Sequence, residues 1–167
     1  VAKVKPLSRS YFKMMELVNT FQLAKEPDSI STFHLAEGPG GFIEALASIR
    51  KKPGDIYIGM TLIDDKNDPN IPGWKKTDIF LRTNKNVYIE KGVDNTGNIL
   101  SLTNLLGCKE AYGSSIDIIT ADGGFDFSID FNKQEHTISQ LLFAQVCYAV
   151  TMQKKGDNSS CQHAHRG

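Results

Sequence analysis

Leu35-Ala36-Glu37-Gly38-Pro39-Gly40-Gly41-Phe42 is the stretch on which the fold of this chain turns. Upstream, Ser31 to Ala36 reads as a short buried strand. Downstream, Phe42-Ile43-Glu44-Ala45-Leu46-Ala47-Ser48-Ile49 carries apolar residues at i, i+3, i+4 and i+7, the spacing of a helix. Between them three glycines and a proline turn the backbone tightly and leave no side chain in the way of a ligand. Strand, glycine-rich turn and helix N-terminus together form a polar-group receptor of the doubly wound α/β kind. The spacing is not G-x-G-x-x-G, which disfavours a dinucleotide fingerprint. No Gly-Lys-Ser/Thr is present, which argues against a nucleoside triphosphate loop. A turn whose glycines serve only tight packing is the competing reading.

Working outward, Arg9 to Ala24 predicts a helix, with Tyr11, Met14, Met15, Val18, Phe21 and Gln22 at helical spacing and Ser8 or Ser10 as its cap. Lys13 lies about half a turn from this stripe, where an ordinary solvated lysine also fits. Asp55 to Thr61 and Asn86 to Glu90 read as further strands. The loop Asp64–Gly73 leads to the only tryptophan, Trp74, best read as a packing residue. Gly92 to Gly97 is turn-rich, and Ile99 to Ala111 looks helical. Ser115 to Ala121 is the clearest strand, β-branched and buried, and it stops at Asp122-Gly123-Gly124-Phe125. An acid freed by two glycines at the carboxyl end of a parallel strand sits where such sheets keep their ligands. Gln134 to Lys155 then forms a long helix with Ile138, Leu141, Leu142, Gln145, Ala149 and Met152 inward and Gly156 at its end. The alternation implies an α/β fold with a parallel sheet.

Composition sets outer bounds. The 167 residues, 40% of them hydrophobic, make one globular domain or most of one, expected over 1–156 with a disordered tail over 157–167. Lysine plus arginine balances aspartate plus glutamate at 19 each, so no global charge pulls toward nucleic acid or membrane. Lys3, Lys5, Arg9 and Lys13 nevertheless cluster with no acid before Glu16. No apolar run approaches the ~18 residues of a membrane span, and the N-terminus has no signal-peptide pattern. Cys108, Cys147 and Cys161 are odd in number and far apart, which suits a reducing, intracellular compartment. Cys161-x-His163-x-His165 has no usual zinc spacing, so no metal is expected.

Four stretches, taken together and in order, resemble a known family. They are Ser8-Arg9-Ser10-Tyr11-Phe12-Lys13, Glu37-Gly38-Pro39-Gly40-Gly41-Phe42, Gly92-Val93-Asp94-Asn95-Thr96-Gly97-Asn98-Ile99 and Ala121-Asp122-Gly123-Gly124-Phe125, followed by Gln134-Glu135 and Gln140-Leu141-Leu142. The likeness is to the FtsJ-like (RrmJ-like) 2′-O-ribose methyltransferases. Within these it is to the cap-specific mRNA enzymes of eukaryotes and large DNA viruses, to which the Asp-Gly-Gly-Phe form points over the ribosomal RNA branch.

The resemblance implies a Rossmann-like methyltransferase fold, a mostly parallel sheet with helices on both faces, and S-adenosyl-L-methionine as cofactor. It implies that the turn Gly38, Pro39, Gly40, Gly41 and Phe42 holds the methionine end, and that Asp94 or Asn98 reads the ribose or adenine. Relatives typically have an acid where Asn98 stands. Asp122 is expected to serve both cofactor and catalysis. Relatives surround the ribose 2′-hydroxyl with Lys-Asp-Lys-Glu, of which Lys13 and Asp122 match the first two. The partner implied is capped mRNA or another RNA, in the nucleus or cytoplasm, or a viral factory for a viral protein. After the long helix relatives continue with Gly-Gly and strands bearing the second lysine and the glutamate, whereas this sequence reads Lys154-Lys155-Gly156-Asp157-Asn158-Ser159-Ser160. The expectation is therefore a C-terminally truncated form, its later strands missing and the strand before Asp122 left as an edge. A fragment that binds cofactor or RNA without turnover is one alternative, and a ribosomal RNA 2′-O-methyltransferase another.

Overall fold

Alternation along the central strand β1 (Ser31–Leu35) decides the layering. The computed structural model describes residues 5–25, 28–63, 73–74, 77–123 and 131–155, with only the backbone of 131–137. Phe33 and Leu35 enter one apolar core with Ile58, Met60, Ile99, Cys108, Ile116, Tyr148 and Met152. Thr32 and His34, one residue out of step, face the opposite side, where Met14, Val18, Phe42, Ile43, Leu46, Tyr57 and Val87 form the second core. A strand buried on both faces needs helices above and below it. They are α1 (Ser10–Phe21), α2 (Gly41–Arg50) and the short α3 (Asp78–Thr83) on one side, and α4 (Leu102–Tyr112) and α5 (Phe131–Met152) on the other.

The remaining strands are β2 (Ile56–Met60), β3 (Val87–Glu90) and β4 (Ile118–Ala121). All pairings are parallel, and the order is β3-β2-β1-β4. The α/β class, the parallel sheet and the two-sided helices agree with the sequence reading. Among the described residues β4 is the last strand of the sheet. Its amino end is met by the chain leaving α5: Ile116 bridges Gln153 in parallel, with Lys154 N–H donating to the Ile116 carbonyl at 2.7 Å.

Several local expectations need correction. Neither Ser8 nor Ser10 caps α1. Arg9 holds the N-cap position without a side-chain bond, and the two serine hydroxyls bond one another at 2.5 Å. Phe21 lies off the buried stripe of α1, 66% exposed, because only Met14 and Val18 point squarely at α2. The strand expected from Ser115 begins at Ile118, and its residues are half-buried, since β4 has a neighbour on one side only. On α5 the inner line runs through Leu141, Gln145, Tyr148 and Met152, leaving Leu142 at 61% exposure. The six-residue α3 is too short to show a helical period and was not anticipated. Trp74 does pack, against Gly59 and Ile43 of the second core. Gly124, Phe125, Gly156, the loop 64–72 and the 157–167 segment with Cys161, His163 and His165 lie outside the described residues.

Two buried polar clusters fix the sheet. At its amino end Arg50, the last residue of α2, donates from Nε to Asp55 Oδ2 at 2.6 Å and from Nη2 to Asp55 Oδ1 at 2.9 Å, with both side chains at 0% exposure. Arg50 also donates to the carbonyls of Ala24 and Asp28, while Asp55 accepts from Ile30 N–H and Tyr57 O–H. Burial pushes the Asp55 carboxyl up, but these donors outweigh it and hold the group below the usual range. Across the middle, His34 Nδ1 meets Thr120 Oγ1 at 2.7 Å and His34 Nε2 meets Thr32 Oγ1 at 2.8 Å, so both ring nitrogens are satisfied between β1 and β4. Burial brings the His34 pKa down to about 3, so the ring is neutral at physiological pH.

Arg50→Ala leaves a buried carboxylate without its counter-charge and should cost about 3–5 kcal/mol of unfolding free energy. Denaturant titration measures it; a loss within experimental error would contradict the anchoring role. The His34 ring carries a proton in the unfolded chain below about pH 6.5 that the folded chain does not accept until about pH 3. Its contribution to stability is therefore present above pH 6.5 and lost as the pH falls toward 3. His34→Gln should flatten that acid limb of the stability curve.

Candidate functional site

The carboxyl ends of β1, β2, β3 and β4 gather at one edge of the sheet, and each is followed by a segment built for close approach. After β1, Ala36 takes a left-handed backbone and the chain enters the Glu37–Gly41 turn, in which Gly38–Pro39 is cis. Gly40 adopts φ 108°, a conformation that glycine tolerates and side-chain-bearing residues resist. At Gly38 and Gly41 the reason for glycine is the protein itself. A Cβ on Gly38 would lie 2.5 Å from the Gly73 carbonyl oxygen, and one on Gly41 would overlap the hydroxyls of Ser8 and Ser10. Two of the three glycines thus serve packing, the reading weighed against ligand clearance in the sequence.

Glu37 opens this turn and is buried, at 4% exposure. Its Oε1 accepts the Ile43 N–H at 2.9 Å, so a carboxyl group from inside the fold satisfies one of the free amides in the first turn of α2. Burial raises the Glu37 pKa to about 8, against the pull of the Ile43 and Phe42 amides, and the Asp122 charge adds to the rise. Thr77 braces the same turn by donating from Oγ1 to the Pro39 carbonyl at 2.8 Å.

Lys13 and Asp122, 109 residues apart in sequence, meet here: Lys13 Nζ donates to Asp122 Oδ1 at 2.5 Å. Lys13 reaches over from the first turns of α1, and Asp122 stands one residue past the end of β4. The pair is open to solvent, with side-chain exposures of 57% and 33%. Lys13, Phe42, Thr120 and Asp122 line one groove of about 370 Å³ between α1 and β4, floored by Leu17 and Ile118. On the other side of β4, the Gly123 N–H donates to Gln145 Oε1 at 3.1 Å, and Gln145 itself donates to the Leu141 carbonyl. Gln145 therefore fixes the backbone that presents Asp122.

Asp94 and Asn98 are engaged elsewhere. Asp94 Oδ1 accepts from Thr96 N–H at 2.9 Å, Thr96 Oγ1 at 2.6 Å and Asn104 Nδ2 at 2.9 Å, and Oδ2 accepts from Ser101 Oγ at 3.1 Å. These bonds, led by the Thr96 hydroxyl, hold its pKa down to about 2. Asn98 Oδ1 accepts from Leu100 N–H, and its carbonyl accepts from Asn104 Nδ2. Asn104, fully buried, is the hub of this loop, and Gly92 must be glycine because a Cβ there would overlap it. The loop is pinned to the end of β2, with Ile63 N–H donating to the Thr96 carbonyl at 2.7 Å. Exposed Leu62 and Val93 follow β2 and β3 along this edge.

Lys13, Phe42 and Asp122 thus share one groove, and the turn Gly38–Gly41 adjoins it through Phe42. Asp94 and Asn98 organise a separate loop at the same sheet edge. Sequence reasoning passed over Glu37, Gln145 and Thr77. Only Glu37 carried a signal, an acid just before a helix N-terminus; Gln145 and Thr77 act through tertiary contacts that no local pattern encodes.

Because the folded Glu37 binds a proton up to about pH 8 while the unfolded chain releases it near 4.5, its contribution to stability is full below pH 4.5 and lost as the pH rises toward 8. Glu37→Gln keeps the acceptor for Ile43 N–H and removes the titration. It should abolish a decline on the order of a few kcal/mol between pH 5 and pH 8. Equal pH slopes in the two proteins, read by denaturant unfolding, would contradict this.

Three comparisons bear on the arrangement. A Danio rerio protein, cap-specific mRNA (nucleoside-2′-O-)-methyltransferase 2, is 30% identical over 157 residues, covering 87% of this chain and 21% of its own length. The probable methyltransferase EP424R of African swine fever virus (isolate Pig/Kenya/KEN-50/1950) is 25% identical over 172 residues, covering 94% of this chain and 39% of its own. The chain therefore spans about a fifth of the first relative and about two fifths of the second. A crystal structure described as a ribosomal RNA methyltransferase from Plasmodium falciparum superposes with TM-score 0.58 at 21% identity, over 90% of this chain and 74% of that one, a likeness of fold. The FtsJ-like methyltransferase family matches residues 6–167, and the chain belongs to that family.

Proposed function

We propose that this chain is the catalytic portion of an S-adenosylmethionine-dependent RNA 2′-O-ribose methyltransferase acting on the cap-proximal region of mRNA. The observation that carries the reading is the Lys13–Asp122 ion pair at the carboxyl edge of the sheet, beside the glycine turn. Membership of a methyltransferase family supports the chemistry, and the name of the Danio rerio relative supports the capped substrate. The solved neighbour, alike in fold alone, does not favour a ribosomal substrate over this one.

The residues at the carboxyl edge of the sheet fit this cofactor. Asp122 brings a carboxylate beside the turn, a charge complementary to a sulfonium cation. The exposed Leu62 and Val93 offer apolar surface suited to a purine. Gly38–Phe42 would hold the methionine end. When bound, S-adenosylmethionine supplies an electrophilic methyl group.

The remaining work falls to the chain's own side chains. A ribose hydroxyl is a poor nucleophile at neutral pH. Asp122 holds the Lys13 ammonium in place, and the ammonium, accessible in the groove, donates to the 2′-oxygen and stabilises its charge as the hydroxyl proton passes to solvent water. Orientation of the hydroxyl toward the methyl group supplies much of the remaining acceleration. Asp94 supports this from a distance by keeping the 92–104 loop in one shape. The site would work wherever capped RNA is found, in nucleus, cytoplasm or viral factory. No described helix is long and apolar enough to cross a membrane.

A second reading is a module that binds cofactor or RNA without turnover, for which the groove and its Lys13–Asp122 pair would serve as a binding surface alone. Methyl transfer from labelled cofactor to capped RNA, in the full-length protein, separates the two. Lys13→Ala and Asp122→Asn should each lower transfer by more than about a hundredfold, while Lys13→Ala leaves cofactor affinity unchanged. Normal turnover in either variant would contradict the assignment. Cofactor binding with no transfer even in the unaltered protein would favour the second reading.

A further inference from the structure

Glu37 is an enclosed carboxyl group at the opening of the glycine turn, 4% exposed. Its backbone is held from both sides, the Glu37 N–H donating to the Met60 carbonyl at 3.3 Å and the Gly40 N–H to the Glu37 carbonyl at 2.7 Å. Its side chain accepts from a neutral donor, the Ile43 N–H. Among the described residues it makes no ion pair. The Arg50–Asp55 pair shows how this fold treats an enclosed carboxylate that stays charged: a guanidinium is set against it. Around Glu37 the charges are few. Asp122, past β4, reaches it with a negative charge; Lys13 of α1 is already engaged by Asp122; and Glu44 of α2 has its Oε2 taken by the Leu7 N–H at 2.8 Å. His34 of β1 is neutral, and the described residues following β2, Thr61 to Ile63, Gly73 and Trp74, carry no charge.

A carboxyl group enclosed without a counter-charge keeps its proton, here to about pH 8. The proton leaves when a positive charge arrives close by, because an opposite charge favours the ionised form. The turn that Glu37 opens is the seat proposed for the methionine end of the cofactor, which carries a sulfonium. S-adenosylhomocysteine, the product left when the methyl group has gone, keeps the same ammonium and carboxylate but has a neutral thioether. At this turn the two ligands differ by one positive charge and one methyl group. We propose that Glu37 discriminates the cofactor from its demethylated product, giving its proton to solvent water when the sulfonium binds and taking one back from water when the thioether replaces it. The opposite charges face one another with cofactor bound and not with product bound, which favours exchange of product for cofactor. The proposal rests on S-adenosylmethionine as the cofactor.

Isothermal titration with each ligand at pH 7, in two buffers of different ionisation enthalpy, counts the protons released on binding. S-adenosylmethionine should release on the order of half a proton or more, and S-adenosylhomocysteine distinctly fewer. By linkage the sulfonium binds the ionised protein more tightly, so its affinity gains as the pH rises. The preference for cofactor over product, taken relative to its value in Glu37→Gln, should rise about tenfold from pH 6 to pH 8. Glu37→Gln keeps the acceptor for the Ile43 N–H, cannot titrate, and should remove the extra protons. Glu110→Gln, the same change on an exposed carboxylate of α4, should leave them in place. The ligands' own amino groups titrate alike in every variant, so the difference between proteins reads Glu37. Equal proton counts for the two ligands in the unaltered protein, or extra protons that survive Glu37→Gln, overturn the role of Glu37 and leave the cofactor standing. A folded chain that binds neither ligand overturns the cofactor reading and this one with it.

Discussion

The site exists because α1 lies hard against the first turn of α2. Gly41 is what permits the approach, since any side chain there would meet the hydroxyls of Ser8 and Ser10. Met14 and Val18 then seat α1 on Phe42, Ile43 and Leu46, and this places Lys13 on the rim above the end of β4. Without that contact the lysine has no fixed relation to Asp122. The glycine turn is therefore first a hinge of packing: Gly38 and Gly41 have no room for a Cβ, whereas Gly40 is set by its φ of 108°.

The two ends of the sheet divide the labour. At the amino end the enclosed Arg50–Asp55 pair ties α2, β2 and the segment entering β1 into one unit, with the donors and acceptors of both charges satisfied. At the carboxyl end polar groups are left accessible or poised: Lys13 and Asp122 open to solvent, Glu37 buried with its proton held to about pH 8. Charges are enclosed at the first end, where they serve stability, and stay accessible at the second, where the proposed chemistry needs them. His34, with both nitrogens engaged by threonines, links the halves without taking part in either.

Much of this was legible in the sequence where a residue type answers a backbone or chemical need. The strand–turn–helix at 31–49 follows from its glycines and its apolar spacing. The meeting of Lys13 with Asp122 was implied by the family resemblance alone, since by its own spacing Lys13 reads as a solvated lysine. What escaped depends on tertiary geometry. The serines before α1 look like caps, yet α2 stands too close for either to serve. α5 offers two apolar lines that share Gln145 and Met152, and only contact with Ile99 and Cys108 selects the one through Tyr148. The structural role of Asp94 in its own loop, where four hydrogen-bond donors, three of them side chains, converge on it, has no local sequence signal. Arg50 reads as an ordinary helix-end cation, and its enclosure depends on Asp55 and two carbonyls from another segment.

The central claim is that the glycine turn and the carboxyl edge of the sheet form a cofactor seat. Calorimetric titration with S-adenosylmethionine tests it most directly, on this chain and on a Gly40→Val variant, in which a branched side chain is forced onto φ 108°. Saturable one-to-one binding, lost in a variant that keeps its fold by circular dichroism, is the expected result. A folded, soluble chain that takes up no heat from the cofactor would contradict the assignment.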